Sequence, residues 1–227
     1  MATHGKRYQA IKVKAPAGVV EIDKAIDFLK ENPGAKFDET VDLAIRLGID
    51  SSKSENAVRG TVSLPHGTGK AVRVLVFAKG PAAEAARVAG ADFVGFEELI
   101  EKVKGGWLDF DVAIATPEAM QEVRKLGRVL GPRGLMPNPK TDTVTDDTAR
   151  AVALCKAGKV DFRMDKNGNI NVPVGKLSFA REHLVANASA VMAAIRSEKP
   201  AGAKGVFVKT CTVTSTMGVG VRINMAE

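Results

Sequence analysis

The hydrophobic periodicity of the chain changes twice, and this double change constrains its fold more than any other feature. In Phe37–Leu47, and again in residues 160–174, apolar and polar residues alternate, as in antiparallel strands with one buried face. Between these regions, Val72–Ala78 and Phe110–Ala115 are almost continuously apolar and helical stretches separate them, as in a parallel sheet covered on both faces. The sequence therefore predicts a discontinuous α+β domain, residues 1–66 plus 160–227. An α/β three-layer domain of Rossmann-like topology, residues 67–159, is inserted into it; the alternative is one continuous sheet.

Local signals predict individual elements within this frame. Asn-Gly at residues 167–168 stands between two alternating segments and predicts a β-hairpin. Ser178 is the predicted N-cap of a long helix, and Pro117 is the predicted start of a helix that ends near Leu130. The Gly/Pro-rich residues 131–140 and residues 200–205 are predicted loops. Val206–Met217 is predicted as the last long strand.

Threonine occupies every second position in the later part of this strand: Thr210, Thr212, Thr214 and Thr216. These residues share one face of the strand, and Cys211, Val213 and Met217 on the other face are predicted core. A row of hydroxyls can contact phosphates and ribose hydroxyls. The alternative is an ordinary solvated face, because threonine favours strands in general.

The charge of the chain favours the first interpretation. There are 33 Lys and Arg against 26 Asp and Glu, a net charge of +7. The densest imbalance lies in Lys199–Ala226, which contains Lys199, Lys204, Lys209 and Arg222 and no acidic residue. A basic protein favours an acidic partner, most often nucleic acid. Because no run of aromatic residues suggests a base-stacking platform, folded RNA recognised through its backbone is the predicted ligand.

No motif predicts catalysis, a cofactor or a metal site. Gly67-Thr68-Gly69-Lys70 fails as a phosphate loop, since Leu64 stands where the first glycine is needed and Ala71 where Ser or Thr is needed. The three histidines lack ligand spacing, and the two cysteines lie far apart. The sequence shows no secretory signal and no apolar run near the ~20 residues of a membrane span, so a cytoplasmic protein without membrane contact is expected. An enzyme that binds a nucleotide in the α/β domain is the alternative function.

Four motifs, in this order, carry a resemblance to a known family: Ala35–Thr40 (AKFDET), Arg59–Pro65 (RGTVSLP), Gly131–Lys140 (GPRGLMPNPK) and Thr214–Gly218 (TSTMG). Together they resemble the L-one family of large-subunit ribosomal proteins, and in particular its bacterial members, the proteins of the mobile stalk. The resemblance extends over essentially the whole chain. It implies the same two-domain organisation that the periodicity predicts.

The resemblance also implies a function and a set of partners. It implies a non-enzymatic, ribosome-associated protein that binds folded large-subunit rRNA and is monomeric off the ribosome. It further implies contact with deacylated exit-site tRNA, whose release the protein assists, and repression of its own operon mRNA through an rRNA-like site.

The motif match assigns rRNA contacts residue by residue: Lys36, Phe37, Thr40, Arg163, Asp165, Lys166, Lys176, Thr210, Thr216, Met217 and Gly218. Two positions depart from the family pattern. Asn171 stands where the family often has histidine, and Val219 stands where it usually has proline. Asn171 can still form hydrogen bonds, whereas Val219 lacks the fixed φ of proline.

Overall fold

The structure is a computed structural model that describes residues 5–49, 57–200 and 205–224. The chain divides into two compact units, Met1–Gly69 with Val160–Glu227 (unit 1) and Lys70–Lys159 (unit 2). Within the described ranges, no helix has the length and apolar character needed to cross a membrane.

Unit 1 contains antiparallel strands from both ends of the chain. Its helices and strands are α1 (Lys6–Lys14), α2 (Ile22–Glu31), β1 (Thr40–Leu47), β2 (Arg59–Ser63), β6 (Lys159–Arg163, whose first residue belongs to unit 2), β7 (Asn169–Lys176), α8 (Arg181–Ser197), β8 (Val208–Ser215) and β9 (Val221–Ile223). Four strands form one sheet in the order β7-β1-β8-β9, and β2 pairs with β6 in a second, two-stranded sheet. The predicted antiparallel sheet that joins N- and C-terminal strands is confirmed.

The core of unit 1 follows from the alternation in β1. Val41, Leu43, Ile45 and Leu47 are buried, whereas the residues between them point to the other face of the sheet. The buried face packs in one hydrophobic cluster with α2 and α8, which contribute Ala25, Ile26, Leu29, Leu184, Ala188, Val191 and Ile195. Helices therefore cover one face of the four-stranded sheet, and polar side chains occupy the other.

Unit 2 alternates short parallel strands and helices. Its elements are β3 (Val74–Phe77), α3 (Pro81–Val88), β4 (Phe93–Gly95), α4 (Glu97–Lys104), β5 (Val112–Ala115), α5 (Met120–Val123), α6 (Gly127–Leu130) and α7 (Thr148–Ala157). The strand order is β4-β3-β5. All four residues of β3 are buried, and hydrophobic clusters lie on both sides of the sheet. The predicted parallel sheet with helices in the middle of the chain is confirmed.

Three local predictions need correction at helix ends and in the last strand. The helix after Pro117 is broken into α5, a 3-10 turn and α6. Ser178 does not cap α8, whose N-cap is Ala180; instead the Ser178 N–H and hydroxyl both donate to the Asp38 carboxylate, at 3.1 and 2.8 Å. The last long strand ends at Ser215, and β9 follows it after a turn that the sequence did not predict.

The predicted hairpin forms a turn without a paired ladder. The Asp165 N–H donates to the Asn169 carbonyl at 2.8 Å, and Gly168 has the positive φ of 80° that its Asn-Gly sequence favours. The flanking strands then separate, since β6 pairs with β2 and β7 pairs with β1. Of the predicted loop 200–205, residues 201–204 lie outside the described residues.

Candidate nucleic-acid interface

Hydrogen bonds join β1, β7 and β8 at one end of the four-stranded sheet. The Thr40 N–H donates to the Thr216 hydroxyl at 3.0 Å, and the Thr216 N–H donates to the Thr40 carbonyl at 3.1 Å. The Lys176 ammonium group donates to the Thr40 hydroxyl, also at 3.0 Å. These bonds hold Thr40, Lys176 and Thr216 together, although up to 176 positions separate them in sequence. We call this cluster, with its chain neighbours, the threonine edge (Lys36, Phe37, Thr40, Lys176, Thr216, Met217 and Gly218).

A buried carboxylate lies under the threonine edge. Glu39 is 0% exposed, and its Oε2 accepts a hydrogen bond from the Met217 N–H at 3.0 Å. Burial raises the pKa of Glu39, but the nearby Ser215 hydroxyl and the backbone N–H groups of Met217, Ala35 and Gly34 favour the charged form and lower the pKa below its ordinary value. The charged form of Glu39 thus connects the segment before Phe37 with the turn after β8.

Two glycines allow these segments to approach each other closely. A Cβ on Gly34 would lie 2.7 Å from the Met217 carbonyl oxygen and 2.9 Å from Glu39 Oε1. A Cβ on Gly218 would lie 2.2 Å from the Ser215 hydroxyl oxygen. All three distances are shorter than a van der Waals contact. A side chain at Gly34 would therefore displace the backbone at Met217, whereas a side chain at Gly218 would force the Ser215 hydroxyl to move.

The threonine edge presents apolar groups to solvent beside its polar ones. Phe37 is 55% exposed and Met217 is 47% exposed. Both were placed on the core face of a strand by their sequence spacing, and this assignment is wrong, because β1 begins at Thr40 and β8 ends at Ser215. Exposed aromatic and thioether side chains between hydroxyls and ammonium groups form a surface that can contact both the apolar and the polar parts of a nucleotide.

A second group of assigned residues surrounds the turn at Asp165–Asn169. Arg163 and Lys166 are exposed there. The Asp165 carboxylate accepts hydrogen bonds from the N–H groups of Asn167 and Asn169 at 2.8 and 2.7 Å, and the hydrogen bond from Asn169 is the largest cause of its lowered pKa. Asp165 therefore shapes the turn from which the two basic side chains extend.

The threonine row lies on the open face of the sheet, as its spacing predicts. Thr210 is exposed and Thr212 and Thr214 are half-buried, whereas Cys211, Val213 and Ser215 between them are buried. Burial raises the pKa of the Cys211 thiol to about 12. Thr210 pairs with Arg46, six residues along β1 from Thr40, which places it about 20 Å from the threonine edge.

One comparison with known families decides the class of this protein. Residues 29–219 match the Ribosomal protein L1p/L10e family. The chain belongs to this family. It is therefore a structural RNA-binding protein of the large ribosomal subunit, and the alternative of a nucleotide-binding enzyme is wrong, because the family is non-enzymatic.

In this L1p/L10e-family protein, the contact residues assigned from the sequence lie in two groups. The threonine edge holds seven of the eleven, and Arg163, Asp165 and Lys166 surround the turn near the other end of β7. Thr210 joins the second group through Arg46, which pairs with both Thr210 and Asn169. At the second departure from the family pattern, the Val219 side chain is buried, at 6% exposure.

The sequence did not identify the residues that hold the threonine edge in place. Glu39 and Ser215 are buried polar residues, and Gly34 is a point of close approach. A signal existed for Glu39, because it lies two positions before Val41 and thus on the apolar face of the alternating segment. A carboxylate at a core position needs hydrogen-bond donors around it. No comparable signal distinguishes Gly34 from the other glycines.

Proposed function

We propose that the protein binds folded large-subunit rRNA through the threonine edge and the basic turn at Arg163–Lys166. The threonine edge carries this proposal, because it combines exposed Phe37 and Met217 with hydroxyls and an ammonium group over a buried carboxylate. Hydroxyls suit ribose 2′-OH groups and phosphates, and the two apolar side chains suit bases or sugars. Lys36, Lys166 and Arg163 add positive charge for the RNA backbone.

We propose a division of labour between two domains of a bacterial stalk protein. Residues 1–66 plus 160–227 form the rRNA-binding domain, and residues 67–159 form a Rossmann-like inserted domain that assists release of deacylated tRNA from the exit site. The sequence resemblance to the stalk proteins of the L-one family supports this division. The protein works in the cytoplasm and is monomeric off the ribosome.

The same rRNA-binding surface supports a regulatory role. An mRNA segment that folds like the rRNA site presents the same backbone shape, so it competes for the threonine edge without a second site on the protein. We propose that the protein represses translation of its own operon mRNA in this way when rRNA is not in excess.

Footprinting of the purified protein on large-subunit rRNA tests the proposed function. We expect protection confined to one folded region. In a competition assay, an rRNA fragment of that region should displace the operon mRNA. Met217→Ala should remove protection at individual nucleotides, whereas Val88→Ala, a change of an exposed apolar residue in unit 2, should leave the footprint intact. Protection spread over unrelated rRNA regions would contradict the proposal.

A further inference from the structure

We propose that a depression over Ala44, on the open face of the four-stranded sheet, holds one nucleotide of the bound RNA outside the threonine edge. The proposal rests on the proposed rRNA binding and adds a second contact site to it. The depression has a volume of about 230 Å³ and is lined by Ala44, Ile45, Arg46, Asn169, Asn171, Thr210 and Thr212. Of these residues, only Thr210 was assigned to RNA contact from the sequence.

The register of three strands creates the depression. Ala44 pairs with Asn171 on β7 and with Thr212 on β8, and Arg46 pairs with Asn169 and Thr210. Residues opposite each other in these strands present their side chains on the same face. Alanine is the smallest side chain of this face, so the longer side chains around it form a rim and leave a concave floor.

The chemistry of the rim suits a nucleotide. Asn171 offers an amide that both donates and accepts hydrogen bonds, as do the hydroxyls of Thr210 and Thr212. Arg46 is exposed and supplies a planar cation for a phosphate or a base face. Among the described residues that line the depression, none is acidic. Neutral groups that can read a base edge thus stand beside a cation that can bind its phosphate.

The depression lies on the same face of the sheet as the threonine edge. Ala44 lies four residues from Thr40 on the same face of β1, which corresponds to about 13 Å. Arg222 pairs with Thr212 and extends the basic character to β9. Asp42, between Thr40 and Ala44, is the acid that an RNA strand would pass; burial raises its pKa and Lys176 acts in the opposite direction. A polyanion held at the threonine edge can therefore continue along β1 to the depression.

Filling the depression tests the proposal without removing a polar group. Ala44→Phe should weaken binding of the full chain to its rRNA fragment about tenfold, because the nucleotide is displaced. Ala44→Ser is the matched control and should bind like the unaltered protein. The Phe variant should fold normally, since aromatic residues are favoured on exposed strand faces. Equal affinity of both variants would overturn the inference, while failure of the unaltered protein to bind rRNA would overturn the proposed function on which it rests.

A tethered probe gives a second, independent result. Cys155 and Cys211 are both buried, so a thiol-reactive iron chelate should attach selectively at Asn224→Cys, an exposed position that lines a cavity next to Thr210 and leaves the depression open. With rRNA bound, hydroxyl radicals from this position should cleave a short run of nucleotides next to the footprint of the threonine edge. Ser189→Cys, an exposed position on α8 behind the sheet, is the control and should give no cleavage there. Matching patterns from the two positions, or no cleavage from position 224, would contradict the proposal.

Discussion

The two sheets of this protein differ in how many of their faces are covered. In unit 2, helices lie on both sides of the parallel sheet and every residue of β3 is buried. In unit 1, helices cover one side of the sheet, and β1 and β8 present Thr, Arg and Ala side chains on the other. A partner that binds a doubly covered sheet can reach only its loops and helices. A sheet with one open face also exposes rows of side chains that are held in place by rigid strands. The open sheet is thus the part of the molecule suited to binding a shaped, extended ligand.

Separating the two units gives the largest expected effect. If residues 67–159 are removed and the ends are rejoined with a short Gly/Ser linker, the remaining residues 1–66 plus 160–227 should fold and retain most of the rRNA affinity. The excised segment should bind the same RNA at least about 1,000-fold more weakly, the lower end of the ratio between specific and non-specific nucleic-acid binding. The division into these two domains stays a prediction until this experiment is done. It would be contradicted by a rejoined protein that is folded, as judged by circular dichroism, but does not bind rRNA.

The salt dependence of RNA binding should further distinguish the two units. Lys36, Arg163, Lys166, Lys176, Lys209 and Arg222 all belong to unit 1. If they neutralise roughly 4–6 phosphates, the slope of log K against log salt should be about −3 to −5, which corresponds to a loss of affinity of about 60- to 1,000-fold for a fourfold rise in salt. Titrations of the full chain and of the rejoined unit 1 should give the same slope. A slope near zero would remove the electrostatic basis of the proposal.

Glu39 tests how the open sheet is held in shape. Glu39→Gln keeps the size of the side chain but loses the charge that accepts the Met217 N–H and that the nearby backbone of Ala35 and Gly34 favours. We expect rRNA affinity to fall about 10- to 100-fold, because charge-assisted hydrogen bonds contribute about 1.5–3 kcal/mol each and the turn at Met217 loses its anchor.

The control for Glu39→Gln is Val213→Ala, a buried substitution on β8 that also destabilises unit 1. It should lower the free energy of unfolding but leave the RNA affinity of the folded protein unchanged. If the two variants lose affinity in proportion to their loss of stability, Glu39 has only a general structural role.

Removal of one hydroxyl should have a smaller effect. Thr216→Val keeps the branched shape of the side chain but removes the oxygen that accepts the Thr40 N–H. Because this contact is exposed, water can replace it in the free protein, so stability should change little. In the complex an RNA group would lose its partner, and filter binding should show a loss of about 1–3 kcal/mol. Thr214→Val, on the same face but outside the threonine edge, is the comparison and should lose less. Unchanged affinity of Thr216→Val would mean that the threonine row is only a solvated surface.

The sequence predicted the difference between the two sheets better than it predicted the site. Alternation against continuous apolar runs is a property of each strand by itself, so β1 and β3 could be recognised locally. The threonine edge depends on long-range contacts, such as the one between Glu39 and Met217, 178 residues apart. The same reason explains the wrong core assignment of Phe37 and Met217: alternation gives the face of a residue only as far as the strand extends.

Lowering the pH should produce the smallest effect. It should reduce the free energy of unfolding of unit 1 by protonating Glu39. Since the pKa of Glu39 in the folded protein lies below its ordinary value of 4.5, the charged carboxylate stabilises the folded state at pH values above 4.5. This contribution should be lost as the pH falls through the lower pKa of the folded state. The difference in unfolding free energy between the unaltered protein and Glu39→Gln should therefore be constant near neutral pH and shrink in acid. Urea titrations at a series of pH values measure it, and a difference that grows in acid would mean that the carboxylate is held in its neutral form.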